Sequence, residues 1–376
     1  MSSFRQVLTN FYYPNITLLE SLIMTNSLLL TKPSSSQRNP LVSVIIGNYN
    51  YGDFLADAIE SVFKQTYIHF ELIVVDDGST DKSREIIKSY GERIIPIYQS
   101  NKGQGEAFNA GIRSAKGEII CFLDADDYFH REKLFKIVEC FRRHPQWVQI
   151  SHGRITVNTN GETIGYGSKA HNHGDVSQLL LRWGRYAMGI TSALAYRRQV
   201  LEKVMPIPTT TNEAADTFLT AAVPFYGEVG CIDEPLMFYR IHGNNLQART
   251  ANIQYLLKQR ELNAQYINST AAKVGLLDRF DLQRDADYRS LKAVEKEKSS
   301  LWEMIQVIWL SYQESLAIKR SSIDIAERLL RRGLCAIAPR EGRKILSRGL
   351  RGYFRTKLTH LKQIFNWVNN RKETCN

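Results

Sequence analysis

The chain has no CxxC pair and no histidines at metal-ligand spacing, and its five cysteines (Cys121, Cys140, Cys231, Cys335, Cys375) are scattered along 376 residues. An odd, dispersed set excludes a disulfide framework and a cysteine–histidine zinc site, and it points to a reducing cytoplasm. Long apolar runs are missing too. The stretch 304–310 lies between Glu303 and Glu314, far short of the about 20 residues that span a bilayer. No basic segment followed by a sustained apolar one opens the sequence, so no signal peptide is expected. There are no internal repeats and no low-complexity tracts. Acidic charge is scarce only toward one end: from Lys319 to Lys372, 15 Lys and Arg stand against 3 Asp and Glu, whereas the whole chain carries +11. The basic character therefore belongs to that region, and the rest of the chain is near neutral. With 43% hydrophobic and 23% charged residues, the composition is that of a globular protein able to bury a substantial core.

Residues 1–40 read as a weakly amphipathic extension closed by the linker TKPSSSQRNP, in which 18–30 suits a helix packing on the main body or a partner-binding element. From Leu41 onward, apolar runs alternate with helical stretches. Strands are expected over 41–46, 70–76, 93–99 and 118–124, and helices over 53–65, 81–89, 105–115 and 131–143. Continuous apolar strands separated by helices predict βαβ units in a sheet buried on both faces. Ligands of such sheets sit beyond the carboxyl ends of the strands, and three of these strands end in polar clusters, GNYN, DDGSTD and DADD. The stretch 150–200 is irregular. A helix is expected near 214–224 and a strand over 237–242, and the remainder after about 246 reads as helices with a break at 338–342.

The cluster Asp124, Asp126 and Asp127 needs compensation, since two unit charges about 5 Å apart repel by roughly 3 kcal/mol at an effective dielectric near 20. Residues two apart on an extended chain face the same way, so Asp124 and Asp126 can present oxygens to one point, with Asp127 joining as the chain turns. Hard oxygen donors with open positions suit Mg²⁺ or Mn²⁺ bridged to substrate phosphates. A solvated turn with a helix-capping Asp is the alternative. In VVDDGSTDKS, Ser79 or Thr80 could cap a helix whose positive end favours Asp81, but this does not account for Asp76 and Asp77, which leave a buried strand and can accept hydrogen bonds from a base or sugar.

Other motifs are two-sided. Tyr49 and Tyr51 suit core aromatics covering the sheet edge, or Tyr49 offers a flat face for a base to stack on. The segment NKGQGEAFNAG lacks the third glycine of a dinucleotide fingerprint, where Phe108 stands. Glu213 and Asp216 fit a first helical turn, where the dipole favours acids, or a catalytic base. In FYRIHGNN, strand alternation would put Arg240 and His242 on one polar face, able to bind a diphosphate.

Together, VSVIIGNYN, SVFKQTYIHFELIVVDDGSTDKS, NKGQGEAFNAGIRSAKGEIICFLDADDYF and DEPLMFYRIHGNN, in this order and spacing, resemble the family 2 glycosyltransferases, inverting enzymes with the GT-A fold. The resemblance covers 41–245. It implies an α/β protein: a single, mostly parallel nucleotide-binding sheet flanked by helices over 41–245, between the 1–40 extension and a basic helical region over 246–376. It further implies a nucleotide-diphosphate sugar donor, most often a UDP-sugar, a saccharide or lipid-linked saccharide acceptor, and Mn²⁺ or Mg²⁺. Carried onto matching positions, Asn48 and Tyr49 would contact the base, Asp77 would hydrogen-bond it, and Asp124 and Asp126 would form the metal-and-sugar motif with Asp127 in the same turn. Asp126 is the favoured metal ligand, Asp216 the general base, and Arg240 and His242 would lie near the diphosphate or acceptor. Two positions depart from the pattern. Gly47 stands where many members have proline, which would loosen that turn, and Ala215 stands before Asp216 where many have Glu, which leaves Glu213 as a rival base.

The expected reaction is a single displacement in surface polysaccharide or glycoconjugate synthesis. A sugar nucleotidyltransferase is the enzymatic alternative, but no glycine-rich, Arg/Lys-bearing triphosphate loop is evident; a non-catalytic binding protein on the same fold is the other. In the tail, Arg328, Arg331, Arg332, Arg343 and their successors to Lys362 are interleaved with leucines, Phe354, Phe365 and Trp367. Such helices suit either peripheral contact with anionic membrane at the inner face of the cell or a basic face packed on its own domain. No base-reading motif accompanies the charge, so nucleic acid is not expected as a partner.

Overall fold

The structure, a computed structural model, describes residues 39–167, 171–209, 215–243, 252–298 and 300–373, with side chains to 359. The expected helix at 18–30 and the rival base Glu213 lie outside the described residues. Pro40–Asn376 form one compact unit.

Four parallel strands make the first half of the sheet: β1 (Val42–Asn48), β2 (Phe70–Asp77), β3 (Ile95–Gln99) and β4 (Ile119–Asp124), in the order β3-β2-β1-β4. They are strands because β-branched and aromatic residues fill both of their faces. Val42, Val44 and Ile46 pack beneath α1 (Leu55–Phe63) and, further along the sheet, α4 (Lys133–Arg143). Ile45, Ile73, Val75 and Phe122 pack against α3 (Gln104–Ser114) on the opposite face. The helix α2 (Ser83–Ser89) follows β2. Each fully buried side chain of this kind stabilises the fold by about 1.5–3 kcal/mol relative to exposure.

Register sets where the strands end. Asn48 pairs with Asp76 across β1–β2, and Gly47 pairs with Asp124 across β1–β4, so the three polar strand ends form one row. The chain order switches sides of β1 at this row, with β2 on one flank and β4 on the other, which opens a crevice there. Gly47 lies inside β1, where an added Cβ would meet the Phe108 ring at 3.0 Å. The loosened turn expected at this position is therefore absent, because strand pairing on both sides holds the residue.

Beyond β4 the pairing becomes mixed. The sheet continues through β8 (Leu194–Arg197), β6 (Trp147–Val157), β9 (Glu228–Arg240) and β5 (Tyr128–Phe129), with β7 (Thr163–Tyr166) beside β6. β8 runs antiparallel to β4, so the short turn Thr191–Ala193 that precedes it arrives at the carboxyl end of β4. β9 pairs parallel with β6 and antiparallel with β5, and its end reaches the same crevice. Around this half lie α5 (Ser177–Trp183), α6 (Arg198–Val204) and α7 (Ala215–Ala222).

The rest is helical: α8 (Ile253–Lys273), α9 (Ala286–Lys296), α10 (Leu301–Ala317), α11 (Ser322–Ile337) and α12 (Pro339–Glu373), with a non-helical Gly349 inside α12. Side-chain oxygens of Asn252, Asp285, Ser300 and Ser321 cap the starts of α8 to α11. The apolar contact among α9, α10 and α11 is thin, centred on Ala286, Val307 and Ala336. An ion network takes its place. The Arg332 guanidinium, fully buried, holds both oxygens of Asp287 at 2.8 Å, Glu314 at 2.8 Å and Ser311 at 2.7 Å. Arg185, from the loop after α5, donates to Asp287 at 2.6 Å and to Asp285 at 3.1 Å, and Arg260 of α8 donates to Asp285 at 2.6 Å. Burial would raise the Asp287 carboxyl, but the guanidinium groups of Arg332, Arg185 and Arg331 hold it well below the usual range. Arg332, read from sequence as part of a basic outer face, is thus an internal cation, and the half-buried Arg331 beside it pairs with Asp287 as well: α9 and α10 bring two carboxylates, Asp287 and Glu314, that no local pattern links to them. Among the described residues no helix is long and apolar enough to cross a membrane.

Candidate active site

The crevice is lined from its floor by buried strand ends. Asn48 donates to Asp76 at 3.3 Å and to Ser79 at 3.1 Å, joining β1 to β2. Asp76 is fully buried and bridged to Arg84 at 2.8 Å, so it acts as a strut. Asp77 accepts from Gln99 at 2.7 Å and from the backbone N–H groups of Lys102 at 2.9 Å and Gly103 at 2.8 Å. Three donors on a carboxylate with about four acceptor sites leave room for one more. The loop approaches closely because residue 78 is glycine: its φ is 82°, and a Cβ would fall 2.6 Å from the Asn101 nitrogen. Asp81 caps its own turn, accepting from Gly52 at 2.8 Å and Ser83 at 3.0 Å. Burial works to raise its pKa, but these bonds lower it on balance. Tyr49 stands at the mouth, 45% exposed.

The three acids of the DADD turn have different surroundings. Asp124 accepts from the Gln104 amide at 2.8 Å and lies 3.4 Å from the Ser192 hydroxyl. Burial, then the charges of Asp126 and Asp216, push its carboxyl up to about 8. Asp126 meets His242 Nε2 at 3.0 Å. Asp127 is used within the protein on both oxygens, accepting from Ser192 Oγ at 2.7 Å and from the Arg240 N–H at 3.2 Å, and burial followed by Asp126 and Asp124 raises its pKa well above the usual range. The sequence grouped Asp127 with the metal ligands. In this structure both of its oxygens take hydrogen bonds within the protein and brace the turn.

Asp216 lies in the first turn of α7 and accepts from Thr191 Oγ1 at 3.0 Å. Burial raises its pKa, opposed by that hydroxyl and by backbone N–H groups. Consecutive residues of one turn therefore hold the two acidic groups of the site: Thr191 holds Asp216, and Ser192 holds Asp127 beside Asp124. Ser192 is in turn fixed by Lys133, whose buried ammonium donates to the Ser192 carbonyl at 2.5 Å and whose pKa burial lowers to about 7.

At the end of β9 the strand stops at Arg240, so His242 is placed by the following loop, with its ring packed on Phe54 at 4.7 Å and on Tyr51 at 5.7 Å. The Arg240 guanidinium was expected on a diphosphate. Here it donates to Asp57 at 2.7 Å and lies over the Phe54 and Tyr128 rings. Tyr51 and Tyr239 both feel the acid cluster: burial, then carboxylates of the turn, push each phenol up to about 12, so both keep their protons and remain hydrogen-bond donors. Sequence reasoning assigned no role to Thr191, Ser192, Lys133, Gln104 or Tyr239. Gln104 sits within the NKGQGEAFNAG segment, whereas Thr191 and Ser192 fall in the irregular stretch with no local signal.

As for a cation, Asp124 and Asp126 are hard oxygen donors whose mutual repulsion a positive ion would relieve, and this donor set fits Mg²⁺ or Mn²⁺. Among the described residues no group of three or more His, Cys, Asp or Glu side chains is gathered to hold an ion unaided.

A mixed α/β sheet with its acidic strand ends gathered in a crevice at the β1/β4 switch defines a GT-A protein. The chain belongs to glycosyl transferase family 2, whose model matches residues 43–205. The uncharacterized glycosyltransferase alr2836 of Nostoc sp. is 39% identical over 286 residues, covering 72% of this chain and 87% of that protein. The putative teichuronic acid biosynthesis glycosyltransferase TuaG of Bacillus subtilis is 42% identical over 104 residues, 27% of this chain and 41% of that protein. Among solved structures, that of S. aureus TarS 1-349 in complex with UDP-GlcNAc aligns with a TM-score of 0.51 at 18% identity, over 81% of this chain and 86% of that one. That likeness is one of fold.

Proposed function

We propose that the chain transfers a sugar, with inversion, from a nucleoside-diphosphate sugar of the UDP class to an acceptor hydroxyl. The observation that carries this reading is the Thr191–Ser192 turn, which holds a candidate base, Asp216, and the donor turn around Asp124 side by side. Asp77 offers its remaining acceptor site to an N–H of the base, and Tyr49 offers a flat face for stacking. Asp124 and Asp126 would hold Mg²⁺ or Mn²⁺, which would supply positive charge against the departing nucleoside diphosphate. Asp216, its pKa raised toward the working pH, takes the proton of the acceptor hydroxyl as that oxygen attacks the anomeric carbon opposite the leaving group. His242 orients Asp126. One base suffices, because no sugar becomes bonded to the enzyme.

The name of the TuaG relative supports a place in surface polysaccharide or glycoconjugate synthesis. Peripheral contact with an anionic membrane is supported by α12, where Phe354 (42% exposed) and Leu358 (59%) stand in the open among Arg351, Arg355 and Lys357. The test is a panel of UDP- and GDP-sugars with Mn²⁺, read as nucleotide release with water or added saccharides as acceptor. Release from one donor, abolished by EDTA, is the expected result. No release from any donor, or pyrophosphate release from UTP with a sugar phosphate, would contradict the proposal.

A further inference from the structure

Gln104 is the first residue of α3 and joins three parts of the crevice. The two residues before it, Lys102 and Gly103, give their N–H groups to Asp77. Its own amide nitrogen donates to Asp124 Oδ1 at 2.8 Å, and its amide oxygen accepts from the N–H of Ala215 at 3.0 Å. That N–H belongs to the first turn of α7, where no intrahelical acceptor exists for it, and the next residue is Asp216. A carboxamide is the side chain that can give a proton to a carboxylate and take one from a backbone N–H at once. Further along α3, Asn109 exchanges two hydrogen bonds with Ile207, each at 2.9 Å, so α3 is fastened to the segment between α6 and α7 independently of Gln104.

We propose that Gln104 is a positioning residue that couples occupancy of the donor site to the placement of Asp216. The proposal rests on the reading of Asp77 and Asp124 as donor-binding groups. Donor contacts at these two carboxylates bear on Gln104 from both sides, through the 102–103 loop and through Asp124 Oδ1, and Gln104 passes the constraint to the first turn of α7. The enzyme thereby fixes its base when a donor is in place, and the base turn is looser when the donor site is empty.

Hydrogen exchange read by mass spectrometry tests this without knowledge of the acceptor. The parent chain, Gln104→Ala and Gln104→Met are compared with and without the nucleoside diphosphate selected by the donor panel, UDP in the first instance, plus Mn²⁺. In the parent, ligand should slow exchange both in peptides covering 76–78 and 124–127 and, by roughly tenfold, in those covering 215–222. In both variants the first effect should persist and the second should shrink to less than twofold. Methionine keeps the volume and loses both hydrogen bonds, so full coupling in Gln104→Met would assign the effect to packing and overturn the proposal. Undiminished ligand protection of 215–222 in both variants would overturn it equally. Absence of ligand protection at 76–78 and 124–127 in the parent would sink the donor-site reading itself, and the coupling with it.

Discussion

An Asp216→Asn variant is expected to transfer sugar about 10²–10⁴-fold more slowly than the parent chain, with nucleotide affinity changed by less than about threefold, since uncharged Asn still satisfies Thr191. The asymmetry follows from position. Asp216 is tied to the Thr191 hydroxyl and lies in a different element from the strand ends that receive the nucleotide. On the proposed reading its loss should remove proton abstraction and leave donor binding in place. The pH profile gives a second readout. A base works when ionised, so activity fails as pH falls through its pKa, and burial raises that pKa above the ordinary carboxylate value. The acid limb of kcat in the parent should thus lie above that of an exposed aspartate, and it should vanish from the residual activity of the variant. Glu213→Gln serves as the comparison: it should keep its rate within a few fold, and a loss matching that of Asp216→Asn would transfer the role of base to Glu213.

The second large effect concerns stability. Arg332→Ala should lower the melting temperature by roughly 5–10 °C, from a loss of about 3–5 kcal/mol, because it strands Asp287 and Glu314 as buried carboxylates with diminished compensation. The apolar contact between these helices is too thin to absorb the loss. A surface pair would weaken as salt is added, whereas the buried network should be nearly indifferent to salt between 0.1 and 0.5 M, on the order of the range where exposed pairs are screened. Differential scanning calorimetry at both salt levels checks the two statements together. A shift under about 2 °C would show that the network does not hold α9, α10 and α11 together.

What the sequence made legible follows from locality. β1, β2 and β4 are continuous apolar runs that stop at polar residues, so their ends and their acids can be read one strand at a time, and parallel register then aligns them. The turn after β2 was legible only in part: Ser79 or Thr80 suited a cap, whereas no side chain caps α2 and Asp81 closes the turn instead. The brace around Asp127 was not legible, since it depends on an antiparallel strand, β8, bringing Ser192 to the end of β4 from 65 residues away. The role of Arg332 was hidden for a similar reason. On its own helix it belongs to a basic run, and only packing against α9 and α10 reveals Asp287 and Glu314 as its partners. Arg240 likewise has a partner that strand alternation does not reveal, Asp57 on α1.

The proposed transfer requires the crevice at the ends of β1, β2 and β4 to be a cation-assisted nucleotide site. Calorimetric titration of the parent chain with UDP, in Mn²⁺ and again in EDTA, tests this most directly, with GDP as the comparison and Asp126→Asn as the control. The account predicts one-to-one UDP binding in Mn²⁺ that weakens at least about tenfold, or roughly 1.4 kcal/mol, in EDTA and in Asp126→Asn. Equal affinity in Mn²⁺ and EDTA, or no binding of either nucleotide, would contradict it.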